Sequence, residues 1–204
     1  MYNRLVALAQ QSGSTLDQIL DATDLMLGKF GFKKTTMEDI AVKAGVSRRT
    51  VYEYFPSKRE LILASIDRVV KKAQVQMTED AATDNAPPEK LYRMLCSRVM
   101  VRVKSVQDIT RSLDSMFVEI RADYLQKRHE YFQVEAKMIA AVVREGQEKG
   151  AFGTTDPFDT AALLVRATNA YLPYSLSVEE LGHPDAIQAD VEKLATILVS
   201  GISR

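Results

Sequence analysis

Ser47, Arg48, Arg49 and Thr50 stand side by side, and their side chains are suited to reading the edge of a base pair. An arginine forms two parallel hydrogen bonds to guanine, and a threonine donates to a base or touches a thymine methyl. Each good bidentate pair discriminates by about 1–3 kcal/mol. Phosphate contact competes for both arginines, and we expect at least one of Arg48 and Arg49 to read a base. Glu53, one helical turn on, could accept from a cytosine amine, although a charge facing solvent is the favoured role. Catalytic chemistry is poorly served. There is no Gly-x-Ser-x-Gly elbow, no P-loop and no dinucleotide fingerprint. His129–Glu130 begins like a zinc-protease motif, but Gln133 stands where the second histidine is required. The chain has only two histidines, His129 and His183, and one cysteine, Cys96. We therefore expect no catalytic residues, no metal site and no cofactor, and read the chain as not an enzyme.

Side chains of this kind act only if a rigid element holds them out. Residues 37–56, MEDIAVKAGVSRRTVYEYFP, read as two short helices meeting at a tight turn. Ala41 is small where the second helix crosses it, and Gly45 can take the left-handed backbone of the turn without a Cβ penalty. Val51 pins the second helix to the core, and Ile40, Ala44, Val46 and Tyr54 fill the remaining inward positions. Thr35 or Thr36 caps the first helix, with Glu38 and Asp39 placed to complete a capping box. Ser47 caps the second helix, and Pro56 breaks it. By itself this small–glycine–apolar spacing suits a plain helical hairpin equally well.

The remaining chain also reads as helix, with no period-2 alternation. A first helix begins at Ser14 or Thr15 and ends at Gly31. Ser57 and Glu60 box the start of a long fourth helix, where Ile62, Ile66, Val69, Val70, Ala73 and Met77 form one apolar stripe. Further helices are expected over about 88–104, 107–122, 125–149, 157–177 and 185–202, with Pro173 kinking the one that contains it. The fold class is therefore all-α, with about nine helices. An N-terminal three-helix helix-turn-helix domain (1–60) precedes a C-terminal helical domain (61–204).

Composition is consistent with this. Apolar residues make up 46% of the chain and charged residues 26%, enough to bury a core and too balanced for disorder. The zero net charge hides an asymmetry: residues 1–59 carry nine basic and six acidic residues, and the remainder carries 18 and 21. Met1 to Gln11 lack a secretory leader's apolar core, no stretch of about 18 apolar residues could span a membrane, and a single cysteine permits no internal disulfide. A cytoplasmic setting is expected.

The run from Thr35 to Leu61, TTMEDIAVKAGVSRRTVYEYFPSKREL, resembles the signature of the TetR family of bacterial transcription regulators. A threonine opens helix two and an Ala-Gly-Val-Ser turn follows. The recognition helix carries an aliphatic residue and then Tyr-x-Tyr-Phe, and Ser-Lys starts helix four. Phe30-Gly31-Phe32 and Thr35-Thr36 fit as well. Arg48-Arg49 replaces a smaller pair, which leaves the base preference open. The resemblance covers about residues 14–65 and is architectural beyond them.

The resemblance implies that Tyr52 and Tyr54 donate hydroxyls to phosphates and that Thr36 and Lys58 meet further phosphates at helix starts. It implies a homodimer on double-stranded DNA, built from the two final helices and matched to a palindromic operator. It also implies a C-terminal effector-binding and dimerisation domain, helix four as the lever between domains, and most often a repressor released by a small molecule. Ala161 to Leu172 are apolar nearly all round, interrupted by Arg166, Thr168 and Asn169, and the last helix adds Ile187, Val191, Leu194, Leu198 and Ile202. For the effector pocket, Tyr92, Met100, Met116, Phe117, Tyr131, Met138, Tyr171 and Tyr174 are candidate lining residues. They would suit an apolar or aromatic, uncharged ligand.

Two classes of substitution should therefore behave differently. Tyr52→Phe or Lys58→Ala should weaken binding to every DNA sequence about equally, whereas Arg49→Ala should relax preference at one base position. Selection of bound DNA from a random pool by each variant distinguishes them, and unchanged specificity in both Arg48→Ala and Arg49→Ala would defeat the base-reading assignment.

Overall fold

A computed structural model describes residues 13–204. The reading of Met1 to Gln11 lies outside the described residues. Nine α-helices occur among those described: α1 Gly13–Lys34, α2 Met37–Ala44, α3 Arg48–Tyr54, α4 Lys58–Ala81, α5 Pro87–Ser105, α6 Leu113–Glu148, α7 Pro157–Ala167, α8 Val178–Leu181 and α9 Pro184–Ile202. Short 3₁₀ turns occupy Gln107–Ser112, Thr168–Tyr171 and Pro173–Ser175. The described residues contain no strand, only an isolated antiparallel bridge between Phe152 and Ser203. None of their helices is long and apolar enough to cross a membrane.

The chain divides into two compact units. The first comprises the residues up to Arg68 together with Asp108–Asp123, and the second comprises Val69–Gln107 with Tyr124–Arg204. The first unit thus takes in two stretches that a simple cut after residue 60 leaves out. Its core gathers Ile19 and Leu20 from α1, Met37, Ile40 and Ala41 from α2, Val51 and Tyr54 from α3, then Phe55 and Leu61. Arg68 ties α4 to α1 through Asp21 (2.6 Å) and Asp24 (2.5 Å). Ser112 donates to the Leu27 carbonyl, which fastens the returning segment to α1. The expected break at Gly31 is present, since its backbone is left-handed (φ 79°), although helical turns resume to Lys34. Thr35 is not the cap of α2. It is buried and donates to the carbonyls of Gly31 and Met26.

In the second unit α5 turns Leu91, Met94 and Leu95 inward against Ala136, Ile139, Ala140 and Val143 of α6. Ala161, Leu164 and Val165 of α7 and Ala195 and Val199 of α9 complete this core, with Phe152 wedged in. Three expectations about helix limits are corrected here. The helices expected over 107–122 and 125–149 are a 3₁₀ turn followed by one continuous α6, because nothing between residues 122 and 125 removes a backbone donor or demands a special dihedral. The helix expected over 157–177 stops at Ala167. Pro173, which has no N–H and clashes with the preceding turn, terminates the helical run here and does not merely kink it. The short α8 escapes a periodicity reading but carries a complete capping box, Ser177 with Glu180.

Ile40 is fully buried at the centre of the first unit's core. Ile40→Ala should destabilise that unit by about 2–5 kcal/mol, through lost transfer energy and the cavity left behind. Urea denaturation of wild type and variant measures this, and a loss below about 1 kcal/mol would mean that the site collapses to fill the void.

Candidate nucleic-acid interface

The interface is assembled from α2, the turn and α3. Thr36 caps α2: its hydroxyl accepts from the Asp39 N–H (3.1 Å), and its own N–H donates to Asp39 Oδ2 (3.0 Å). Gly45 then reverses the chain with φ 70°, and its N–H and that of Val46 close the end of α2. A residue with a Cβ strains that backbone even where space is free, as it is here. Ser47 caps α3 by accepting from the Thr50 N–H, and its hydroxyl lies 2.8 Å from that of Thr50.

Turning α3 inward by Val51 and Tyr54 leaves the other face in solvent. The side chains of Arg48 and Arg49 are 63% and 88% exposed, and Tyr52 is 39% exposed. The guanidinium of Arg48 lies over the Tyr52 ring, 5.4 Å from its centroid, and 3.6 Å from Glu38. Arg49 donates from Nε to Glu53 at 2.9 Å. Each arginine of α3 therefore leans on a glutamate. Exposed pairs of this kind contribute about 0–1 kcal/mol, so a phosphate or a guanine can displace them readily. Glu53 is thus the partner of Arg49, a role between the two weighed for it above.

The other predicted contacts are placed unevenly. Thr36 is exposed, but its hydroxyl also donates to Asp39 Oδ2 at 2.6 Å, so a carboxylate occupies the position expected for a phosphate. Tyr54 is buried to 8% exposure and packs against Phe55. Lys58 is half-buried. Its ammonium donates to the Phe32 carbonyl and lies 4.0 Å from the Phe32 ring centroid, and burial lowers its pKa while nearby Glu119 raises it. Lys58 therefore holds the end of α1 in this state, a structural role that sequence pattern did not reveal.

The pocket candidates are divided between the two units. Met116 and Phe117 belong to the first unit and the other six to the second. Tyr92 and Met138 pack against the second unit's core. Met100 lines a surface cavity of about 270 Å³ with Cys96, Lys104 and Glu192. Burial pushes the Cys96 thiol up to about 11, which leaves it protonated and unreactive. Tyr171 sits half-buried in the 3₁₀ turn after α7. Tyr131 is half-buried on α6, and Tyr174 packs against Tyr124 at a tilt, with ring centroids 5.3 Å apart and 57° between the ring planes. The sequence reading missed Arg98, Arg102, Tyr124, Arg128 and Glu135. The available signal was that Arg98 and Arg102 continue the inward row Leu91, Leu95, Val99, Val103 where apolar residues belong.

A capped two-helix turn inside a small helical unit, joined to a larger helical unit, defines a helix-turn-helix protein with a separate helical module. Residues 19–65 match the family pattern described as bacterial regulatory proteins, tetR family, and residues 87–202 match that of a tetracyclin repressor-like C-terminal domain. The chain belongs to the TetR family of bacterial regulatory proteins. It is 33% identical over 86 residues to the HTH-type transcriptional regulator EthR of Mycolicibacterium smegmatis, an alignment covering 42% of this chain and 40% of that protein. It is 26% identical over 127 residues to the HTH-type transcriptional repressor KstR of Mycobacterium tuberculosis, covering 52% and 58%. The chain thus spans about half the length of these relatives. A transcriptional regulator of Cytophaga hutchinsonii shares the fold with a TM-score of 0.71 at 17% identity, over 93% of this chain and 98% of that one.

The capping box makes the interface sensitive to acid. The hydroxyl and then the backbone N–H of Thr36 hold the Asp39 carboxyl below its ordinary value. Its folded pKa lies below its unfolded one, so the stability it contributes is present above the unfolded pKa and is lost as pH falls through the folded value. Asp39→Asn should lower stability at neutral pH and flatten the decline below about pH 4. Urea titrations at pH 7 and pH 3 check this, and identical pH dependence in both proteins would discount the carboxylate.

Proposed function

We propose that the protein is a sequence-specific, DNA-binding transcription regulator. It acts as a homodimeric repressor that leaves a palindromic operator when a small-molecule effector binds. The observation that carries this reading is the outward face of α3, where Arg48, Arg49 and Tyr52 stand exposed on a helix anchored by Val51 and Tyr54. Presented to a major groove, Ser47, Arg48, Arg49 and Thr50 reach base edges, and Thr36, Tyr52, Tyr54 and Lys58 position the helix on phosphates. For Lys58 this requires release from the Phe32 carbonyl, and for Thr36 a phosphate accommodated beside Asp39.

Dimerisation is supported by apolar surface on the two final long helices. Leu163 of α7 is 62% exposed and Ile197 of α9 is 67% exposed, while Leu194 and Leu198 are half-buried. A second copy covering this surface would set two recognition helices about 34–36 Å apart, one turn of duplex. Regulation then follows as a population shift, in which effector binding favours a dimer whose recognition helices miss that spacing. The division of labour places DNA binding in residues 1–60 and effector binding and dimerisation in 61–204, and the setting is the cytoplasm.

Selection of bound DNA from a random pool tests the whole reading. A palindrome with half-sites one helical turn apart is expected, with affinity falling steeply as salt rises because phosphate contacts release counterions. Retention that ignores salt, or selected sequences without two-fold symmetry, would overturn it.

A further inference from the structure

Charge does not balance inside the second unit. Arg98 is wholly buried and Arg102 is 6% exposed, yet both lean on the same carboxylate, that of the wholly buried Glu135. Arg98 donates from Nε to Glu135 Oε2, from Nη1 to Thr168 Oγ1 and from Nη2 to Asn169 Oδ1, each at 2.7 Å. Arg102 donates to Glu135 Oε1 and to the Arg98 carbonyl. Both oxygens of Glu135 are thus taken by two guanidiniums, which do not give up their protons in proteins. One positive charge is left over in a place where an uncompensated ion is costly.

A third guanidinium joins the cluster. Arg128 lies 5.5 Å from the centroid of Phe132 and 5.3 Å from that of Tyr174, and Arg98 lies 5.2 Å from Phe132. Among the described residues Arg128 makes no ion pair and Arg102 Nε makes no hydrogen bond. Tyr124 packs at a tilt against Tyr174, and burial raises its phenol's pKa while the charges of Arg102, Arg128 and Arg98 act to lower it. The group is therefore continuous: three guanidiniums, one carboxylate and three aromatic rings, half-buried at Arg128, Phe132 and Tyr174 and buried at Arg98, Arg102, Tyr124 and Glu135.

We propose that this cluster binds a small organic monoanion, a carboxylate carried on an aromatic or otherwise planar apolar frame, and that this anion is the effector. The assignment as effector rests on the regulator reading above. One carboxylate offsets the single charge by which the buried Arg98 and Arg102 exceed Glu135, Arg128 adds a further cation at the half-buried edge, a guanidinium fork donates to both oxygens of a carboxylate, and the rings supply faces for a planar frame. This proposal departs from the uncharged ligand expected from the methionine and tyrosine content, because that composition does not show that Arg98 and Arg102 are buried together.

The test uses two probes with the same rings that differ by one charge: 1-anilinonaphthalene-8-sulfonate and its neutral parent N-phenyl-1-naphthylamine, titrated by fluorescence into the full chain. The sulfonate should bind about tenfold tighter than the parent, and Arg102→Gln and Arg128→Gln should each weaken the sulfonate about tenfold and leave the parent unmoved. If Arg102→Gln fails to fold, as judged by circular dichroism, Arg128→Gln at the half-buried edge carries the comparison. A preference below about threefold, or sulfonate affinity unmoved in the folded variants, would overturn the site. DNA retention by the probe-free protein is measured alongside. Anion preference without DNA retention would defeat the regulator reading and leave the site standing, whereas DNA retention without anion preference would defeat the site alone.

Discussion

A seven-residue helix has no stability of its own in water, and α3 exists because Val51, Tyr54 and the adjoining Phe55 are buried in the core of the first unit. That anchoring has two consequences. It fixes the rotation of α3 about its axis, so that Arg48, Arg49, Tyr52 and Glu53 all point to solvent. It also explains the attention given to the helix ends, where Ser47, Thr36 and Gly45 satisfy donors and acceptors that a two-turn helix could not satisfy internally. A face presented in this way is rigid because its opposite side is packed, and rigidity is what reading a base edge requires.

Arginine and glutamate recur at both ends of the protein with opposite effect. On α3 the pair Arg49–Glu53 lies in water, where solvent and salt screen it, and exchange for another partner costs little. In the second unit Arg98–Glu135 is dry, and removing either partner would strand a buried charge. The first arrangement suits a surface that must trade contacts, and the second suits a site that holds one. Cys96, raised by burial, and Lys58, held by Phe32, show the same principle in single groups: the medium around a side chain decides which of its chemistries is available.

The all-α class, the helix-turn-helix and its inward residues were legible in the chain alone, because they depend on local rules. Helical spacing places Ile40, Ala41 and Val51 on one side, a left-handed turn favours Gly45, and capping chemistry is short-range. The break at Gly31 was legible in kind, whereas the end of α7 at Ala167 was not, because apolar periodicity carries the pattern on past Pro173. The family resemblance drew on the same short run.

Whatever depends on partners distant in sequence was not legible. The return of Asp108–Asp123 to the first unit, the capture of Lys58 by a carbonyl 26 residues earlier and the grouping of Arg98, Glu135 and Thr168 each join segments that no local pattern links. The chain by itself determined which residues can cap, turn and face inward, because those are properties of neighbours along the backbone. Only the tertiary structure decided which charges share a carboxylate and which remain without one, because burial and pairing are set by what folds against a residue.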